Sequence, residues 1–342
     1  MPTQASDALQ TMTIALVGDL IFYQRKIAAG SSNEAEEVWG DVLPYLRGAD
    51  AVFANLETPI STTARRWRKG WKAFRLRSDP AAVELLKAAN VRFVNLANNH
   101  ILDCDSEGLS DTIGYLDTAG IAHAGAGMNA MEAARPAIVD VAGRRIGVLS
   151  ITDNMREFAA GPNQPGTNFL RINSDKAAIE RIGSWVDQLR RSGVSLVVLS
   201  AHWGPNLRQW PTSTFRRFAH AALDCGVDIL HGHSAHFIQG LDVHRDRLIL
   251  YDTGDFLDGL WLFSFVPRYL SCLFLVDFED AVLKRVRVVP VVLRPGRVRV
   301  GRGHRARHIL ERILRRSPPG LIHSDQATAE LHFIPSKVPL QM

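Results

Sequence analysis

Residues that can bind a metal ion or transfer a proton follow short apolar runs at six places in this chain. The six clusters are Gly18-Asp19, Asn55-Leu56-Glu57, Asn98-Asn99-His100, His202-Trp203-Gly204, residues 231–236 (HGHSAH) and residues 252–255 (DTGD). Carboxylate, amide and imidazole groups are ligands of zinc, manganese and iron. One such cluster alone is typical of a turn or of a buried histidine, whereas six in corresponding positions favour a functional site.

The apolar runs before these clusters have the length and composition of buried strands. They cover residues 13–17, 51–54, 91–96, 146–149, 194–199, 227–230 and 248–251, and most are rich in β-branched residues. Since ligands of open α/β sheets bind beyond the carboxyl ends of the strands, the clusters are expected to share one crevice. The sequence therefore predicts an α/β fold with its site at that edge.

Helical patterns lie between many of the predicted strands. One helix is predicted to start at Asp79-Pro80, a second to run from Ser174-Asp175 to a stop at Gly193, and a third to cover residues 214–225. Capping residues, an N-terminal proline and C-terminal glycines mark their ends. Strands alternating with helices predict a sheet that is covered on both faces.

The composition excludes several classes of protein. With 342 residues, 46% hydrophobic and 22% charged, the chain is not disordered or fibrous. Its three cysteines include no CxxC pair, which excludes a zinc ribbon and a thioredoxin motif. The N-terminus lacks the features of a signal peptide, and the apolar stretch at 256–276 is interrupted by Asp258, Pro267 and Arg268. We therefore expect a soluble, cytoplasmic protein without a membrane span.

The net charge of +5 is concentrated in one segment. Residues 294–316 contain nine arginines and one glutamate, a local charge of +8 that leaves −3 on the remainder. The basicity therefore does not identify the whole chain as a nucleic-acid-binding protein, and nucleic acid is not expected as its partner. We interpret the segment as a solvated helix face, and we expect a domain over residues 11–296 followed by a basic segment and tail over 297–342.

Residues 65–77 (RRWRKGWKAFRLR) form a second basic segment, with seven Lys or Arg among 13 positions and three aromatic residues between them. Because it follows Glu57 closely, the segment is expected near the same crevice. It could bind a phosphate or a carboxylate-rich peptide, or it could be a solvated loop with its aromatic rings folded underneath. Both hypotheses stay open. The candidate substrate-binding residues are Arg66, Arg68, Lys69, Trp203 and Asn206.

Three competing motifs are absent from the sequence. Ser234 does not lie in G-x-S-x-G, because His236 occupies the place of the second glycine. The glycines near residue 125 do not complete G-x-G-x-x-G, and there is no Walker A motif. A serine hydrolase, a dinucleotide-binding fold and a P-loop nucleotide hydrolase are therefore not expected.

In their order and spacing, the motifs GD, NLE, NNHxxD, HWG, GHSxH and GDF resemble those of the CapA family of poly-γ-glutamate and capsule synthesis proteins. The resemblance covers residues 13 to 257, and NNHILD, HWGPN and HGHSAH are its most specific parts. It implies a calcineurin-like metallophosphatase fold, which is a four-layer α/β/β/α sandwich.

The resemblance also implies roles for individual residues. The matching metal-ligand positions are Asp19, Glu57, Asn99, His202, His233 and His236. His100 corresponds to the general acid or transition-state stabiliser, and Asp103 is placed to orient its ring.

Two departures from the family pattern bear on the metal site. Phosphatases of this fold carry D-x-H at the first strand, whereas Asp19 is followed by Leu20 and Ile21, and the bridging acid is Glu57 in place of an aspartate. The expected cofactor is therefore one or two divalent ions (Mn, Zn or Fe), and a metal-free site is the alternative. The membrane anchor usual in capsule-type members is also not found.

Three functional hypotheses follow. The first is metal-dependent hydrolysis of a phosphoester or an amide in capsule, poly-γ-glutamate or peptide metabolism, with an anionic small molecule or peptide as substrate. The second is a peptide epimerase that uses Asp19 with His233 or His236 as an acid–base pair on an α-carbon. The third is a non-catalytic accessory protein of polymer synthesis. The oligomeric state stays open.

Overall fold

The computed structural model describes residues 11–22, 32–68, 70, 72–172, 176–259, 269–319, 323–324 and 331–333. Its strands are β1 (Thr11–Ile21), β2 (Ala51–Leu56), β3 (Val91–Asn95), β4 (Ala122–Ala124), β5 (Ala126–Gly127), β6 (Ala137–Val141), β7 (Arg144–Thr152), β8 (Gly166–Thr167), β9 (Leu196–His202), β10 (Ile229–His233), β11 (Ile238–His244), β12 (Arg247–Thr253), β13 (Asp255–Asp258), β14 (Leu270–Glu279), β15 (Val282–Arg294), β16 (Arg297–Val300), β17 (His323–Ser324) and β18 (Leu331–Phe333). Its helices are α1 (Ser32–Trp39), α2 (Leu43–Gly48), α3 (Ala82–Ala88), α4 (Asp105–Thr118), α5 (Ala130–Ala133), α6 (Lys176–Arg191), α7 (Ser213–Asp224) and α8 (Gly303–Arg316).

Most of these strands form two sheets. The larger has the order β17-β18-β15-β14-β1-β2-β3-β4, with β13 beside β1 and β16 beside β15, and the smaller has the order β11-β12-β10-β9-β7-β6. The run β1-β2-β3-β4 is parallel, and so is the run β12-β10-β9-β7. The carboxyl ends of each parallel run therefore lie at one edge of its sheet.

The alternation of side chains along each strand produces the layers. On β1, Ile14 and Leu16 pack in the cluster between the two sheets, whereas Ala15 and Val17 pack against the helices outside the larger sheet. Helices α1 to α4 contribute to that outer cluster, and α6 and α7 cover the outer face of the smaller sheet. The four-layer α/β/β/α sandwich is thereby confirmed.

The three predicted helices are present, and two of them start at other residues than predicted. Asp79 accepts a hydrogen bond from the Ala81 amide (2.9 Å) and closes a turn, so that α3 begins at Ala82. Helix α6 covers the second prediction, and its predicted cap at 174–175 lies outside the described residues. Helix α7 begins one residue earlier than predicted, because the Thr212 hydroxyl caps it by accepting from the Phe215 amide (3.2 Å).

The basic segment at 294–316 packs on the sandwich. Strand β16 pairs with β15, and Ile309 and Ile313 of α8 are buried in the cluster between the sheets. The predicted helix is thus present, but the interpretation as a solvated face is only partly correct. Arg305, Arg307 and Arg315 are exposed, whereas Arg312 and Arg316 are buried. We propose, as the sequence predicts, that the domain covers residues 11–296 and that residues 297–342 form a basic segment and tail.

Candidate functional site

Asp19 reaches the site because β1 approaches β13 closely. A Cβ atom on Gly18 would lie 1.7 Å from the Gly254 carbonyl oxygen, so only glycine fits at this position. The Asp19 amide donates to that same oxygen (2.9 Å), and Asp19 lies in register with Asn55 of β2 and Asp255 of β13. The fully buried Asp19 is therefore fixed between two polar neighbours.

A first group of donors consists of Asp19, His202 and His233, whose ligand atoms all lie within 4.8 Å of one another. The two Nδ1 atoms of the imidazoles are 3.1 Å apart, and His233 Nδ1 is 4.0 Å from Asp19 Oδ1. The other ring nitrogens also have polar partners: His202 Nε2 lies 2.9 Å from Asn99 Oδ1 and 3.9 Å from Glu57 Oε1, and His233 Nε2 is held from outside by Ser200 Oγ (2.9 Å). Outer hydrogen bonds of this kind fix the ring orientation of metal-binding histidines.

A second group consists of Asp19, Glu57 and His236, again within 4.8 Å of one another. His236 Nδ1 lies 3.3 Å from Asp19 Oδ2 and 2.8 Å from Asp255 Oδ1. Asp255 therefore brings a third carboxylate to this group. Asp19 is common to both groups. Glu57, which the sequence predicts as the bridging acid, also reaches the first group, because its Oε1 lies 3.9 Å from His202 Nε2.

The backbone that carries His236 is held in a rare conformation. Ser234 and His236 have φ angles of 110° and 60°, in the region that favours glycine. The Asp252 carboxylate stabilises this turn by accepting from the amides of Ala235 (2.7 Å) and Gly254 (2.8 Å). One buried acid thus sets both the His236 turn and the start of β13, and such strain is typical of functional sites.

The donor atoms fit divalent cations. Glu57 Oε2 is buried and has no hydrogen-bond partner among the described residues, which is costly for a carboxylate unless a cation neutralises it. Three imidazoles and two carboxylates suit Zn, Mn or Fe, and the arrangement does not distinguish among them. Ile21, at the position of the missing histidine ligand, is part of the buried core.

Burial keeps two of the histidines neutral. It lowers the pKa of His202 to about 3, and together with the neighbouring His202 it holds the pKa of His233 well below its usual value. A neutral imidazole is the form that binds a metal ion. These two side chains are therefore ready to act as ligands at neutral pH.

In the second donor group, unlike the first, nearby carboxylates outweigh the effect of burial on the histidine. Burial opposes the charged form of His236, but the carboxylates of Asp255 and Glu57 raise its pKa well above the usual value. Burial and the charge of Asp19 raise the pKa of Glu57. Burial also opposes ionisation of Asp19, but the hydrogen bond and charge of His236 hold the pKa of Asp19 below its usual range. Positive charge on His236 thus partly balances the acids.

The two adjacent asparagines of the NNH motif have different positions. Asn98 Nδ2 donates to the Leu56 carbonyl (2.8 Å), and its Oδ1 accepts from the His100 amide (3.0 Å), which holds the turn after β3. Asn99 instead directs its side chain at His202. Asn99 thus lies beside the first donor group, as a metal-ligand candidate should.

His100 lies next to the donor groups with one ring nitrogen facing them. Its Nε2 is 4.0 Å from Glu57 Oε1, and its Nδ1 is 2.6 Å from Asp103 Oδ2, which also accepts from the Leu76 amide (2.7 Å). Burial and the nearby charge of Lys72 lower the pKa of His100. The predicted pairing of His100 with Asp103 is present in the structure.

The basic segment 65–77 has an exposed side and a buried side. Arg66 and Arg68 are exposed, whereas the Trp67 ring is buried edge-on against Phe158, with the ring centroids 5.1 Å apart. Lys69 lies outside the described residues. Both interpretations of the segment therefore describe part of it, since basic groups face solvent while one aromatic ring packs underneath.

The interpretation of Trp203 as a substrate-binding residue is corrected by its burial. Its ring is 4% exposed and packs edge-on against Phe215, and its Nε1 donates to the Tyr251 carbonyl (2.8 Å). It therefore supports the core beneath the smaller sheet. Asn206, three residues later, is exposed and stays a substrate-binding candidate.

Lys72 and Ser200 were missed at the site, and Asn55 and Asp255 lie in predicted clusters but were assigned no role. Ser200 and Asn55 each lie two positions before a candidate ligand, on the same face of the chain, so the period of two in β-strands could have found them. Asp255 lies in the recognised GDF motif. Lys72 has no such signal, because a lysine within a charged run does not reveal that it is buried.

We expect Asp153→Asn to stabilise the protein at neutral pH. Asp153 follows β7, and burial raises its pKa to about 6 even though it accepts from the Gly204 amide (2.9 Å). Its ionisation is thus disfavoured in the folded state, and stability is lost as the pH rises from about 4 to about 6. Asparagine can still accept that bond without the charge.

Urea unfolding of Asp153→Asn and wild type at several pH values tests this. The variant should gain up to about 3 kcal/mol at pH 7.5 and little at pH 4.5. A difference that does not change with pH would contradict the assignment.

Comparisons with known proteins place the chain among capsule-related sequences. The family model described as "Bacterial capsule synthesis protein PGA_cap" matches residues 13–260. "Capsule biosynthesis protein CapA" of Bacillus anthracis is 30% identical over 253 residues, which cover 72% of this chain but only 60% of that protein. A "Probable polyglutamine synthesis accessory protein" of Mycobacterium tuberculosis is 31% identical over 293 residues, or 81% of this chain and 76% of that protein.

A solved structure was also matched. The calcineurin-like phosphoesterase YfkN of Bacillus subtilis aligns with a TM-score of 0.42 and 10% identity, over 90% of this chain and 98% of that chain. Separately, the described part of the chain contains no helix that is both long and apolar enough to cross a membrane.

Proposed function

The chain belongs to the bacterial capsule synthesis protein family PGA_cap, and on this basis we propose that it is a metal-dependent hydrolase of a phosphoester or amide bond. The observation that carries the proposal is the position of Asp19, whose carboxylate is shared by two groups of buried donors. Each donor group is suited to hold one cation, and the Asp19 carboxylate would contact both cations. The relatives' names favour a role in capsule or polyglutamine synthesis.

Asp19, His202 and His233 would hold one cation, with Asn99 beside them. Asp19, Glu57 and His236 would hold a second, with Asp255 orienting His236. A divalent ion held by these residues would supply Lewis acidity and would lower the pKa of a bound water. The protein's contribution is to keep the imidazoles oriented and the carboxylates converging in a buried pocket.

His100 is the residue placed to hold or move a proton. Its Nδ1–H donates to Asp103, which leaves Nε2 directed towards the side of the pocket that contains Glu57. The lowered pKa of His100 favours the neutral ring with its proton on Nδ1, so that Nε2 can accept a proton and pass it to a leaving group. Arg66, Arg68 and Asn206 are exposed and could bind the anionic part of a substrate.

The two alternatives differ in their support. An epimerase needs its acid and base on opposite sides of an α-carbon, but Asp19 lies only 3.3 Å from His236 and 4.0 Å from His233. No carbon fits between groups at these distances, so the geometry does not favour that reaction. A non-catalytic accessory role is favoured by the name of the mycobacterial relative.

A turnover assay separates these possibilities. The protein is stripped with a chelator, supplied with Mn, Zn or Fe, and given bis(p-nitrophenyl) phosphate or γ-glutamyl-p-nitroanilide in heavy water. Hydrolysis that needs the metal supports the proposal. No hydrolysis with any metal would contradict it and favour the accessory role, and deuterium at an α-carbon of an intact peptide would favour the epimerase.

A further inference from the structure

Lys72 is a buried lysine in a segment in which Arg65, Arg66, Arg68 and Arg77 are exposed. Its side chain is 8% exposed, and its ammonium nitrogen lies 5.2 Å from the centroid of the Phe158 ring. Lysine is rarely buried to this extent unless it is paired, because desolvation disfavours its charge. The contacts around its ammonium group therefore need an explanation.

The segment that carries Lys72 is a closed loop seated on the turn after β3. Ile60 and Ser78 form a bridge that brings the ends of the loop together. The loop is then anchored to Asp103 twice, by the Trp67 amide on the Asp103 carbonyl (3.1 Å) and by the Leu76 amide on the Asp103 carboxylate (2.7 Å). Lys72 lies between these anchors, so the backbone directs its side chain inwards.

The Lys72 ammonium group contacts three groups of one turn. It donates to Asp103 Oδ1 and to the Asn99 carbonyl, and it lies 3.1 Å from His100 Nδ1. Asp103 Oδ2 lies only 2.6 Å from that Nδ1, so the Nδ1 proton is donated to Asp103. Because Nδ1 carries this proton, it does not accept a hydrogen bond from the Lys72 ammonium group. Lys72 thus contacts the outer side of His100, away from Nε2.

We propose that Lys72 is a positioning residue that, through Asp103, fixes the tautomer and ring orientation of His100. The Asp103 side chain is fully buried, and its two oxygens are divided between Lys72 on one side and His100 with the Leu76 amide on the other. With Lys72 in place, Asp103 is held as an acceptor for Nδ1–H. Lys72 also donates to the carbonyl of Asn99, and the side chain of Asn99 contacts His202. Lys72 therefore links the turn that carries His100 to the first donor group.

The inference deepens the proposed function, and its catalytic consequence rests on that function. Its structural consequence does not, since the state of the His100 ring can be observed in an inactive protein. The neutral variant Lys72→Met keeps the length of the side chain without its charge. Lys87, an exposed lysine of α3 paired with Glu84 (3.2 Å), provides the matched control Lys87→Met.

The first measurement is the NMR spectrum of protein with ¹⁵N-labelled histidine, with the His100 signal assigned by its loss in His100→Gln. In wild type and Lys87→Met, we expect an Nδ1–H proton that is protected from solvent exchange. In Lys72→Met this proton should exchange with solvent faster than in wild type. An Nδ1–H signal of the same position and protection in Lys72→Met would overturn the proposal.

The second measurement is steady-state kinetics on a substrate that the wild type hydrolyses. Lys72→Met should lower kcat by about 10- to 100-fold with little change in KM, and Lys87→Met should match wild type. Methylammonium should restore part of kcat in Lys72→Ala, which a purely structural defect would not allow. An unchanged kcat in Lys72→Met would overturn the proposal, whereas an inactive wild type would contradict only the proposed function.

Discussion

We expect Asp19→Asn to lower kcat/KM by at least about 10³-fold. Asp19 is the carboxylate common to both donor groups, so its neutralisation weakens both cation positions at once. Asparagine has nearly the same shape and is fully buried in the same place, so the loss of charge is the main change. The effect is measured as kcat/KM at saturating metal, together with the thermal unfolding midpoint.

Asp140→Asn is the matched control, since Asp140 is an exposed residue of β6. It should leave kcat/KM and the unfolding midpoint unchanged. If Asp19→Asn retains more than about a tenth of wild-type kcat/KM, Asp19 does not organise the site.

His100→Gln should lower kcat by about 10²- to 10⁴-fold while metal content stays at the wild-type level. His100 belongs to neither donor group, but its Nε2 faces Glu57 and its Nδ1 is held by Asp103. The change therefore removes a group that transfers a proton without removing a ligand. Kinetics and elemental analysis of the same preparation separate these two effects.

His123→Gln provides the control, because His123 lies on β4 beside Asp117 (3.1 Å). It should retain full activity. If His100→Gln loses metal in proportion to activity, His100 is a ligand and its assignment as a proton-transferring group is wrong.

Much of the fold was predictable because buried parallel strands have short, strongly apolar sequences. The family resemblance inferred from the motifs is confirmed, and six predicted ligand positions converge around Asp19 and its neighbours. Their assignment as ligands is still a proposal. Strand ends are less predictable: the polar Gly18-Asp19 pair predicts the end of β1, whereas the strand runs from Thr11 to Ile21.

The remaining features depend on contacts between distant parts of the chain. The pairing of Asp255 with His236 arises from the register of β13 on β1, which no local pattern encodes. The burial of Lys72 depends on the closure of residues 60–78 into a loop. Trp203 was misassigned because its neighbour His202 faces the site, whereas successive side chains in an extended chain point to opposite sides.

The most direct test of the shared-carboxylate site is the number of divalent ions bound per chain. Stripped wild type, Asp19→Asn, His233→Ala and His236→Ala would be saturated with Mn or Zn, dialysed and analysed for metal. The site described here predicts two ions in wild type, about one in each histidine variant and almost none in Asp19→Asn. A wild type that binds no ion, or an Asp19→Asn variant that binds as many as wild type, would contradict it.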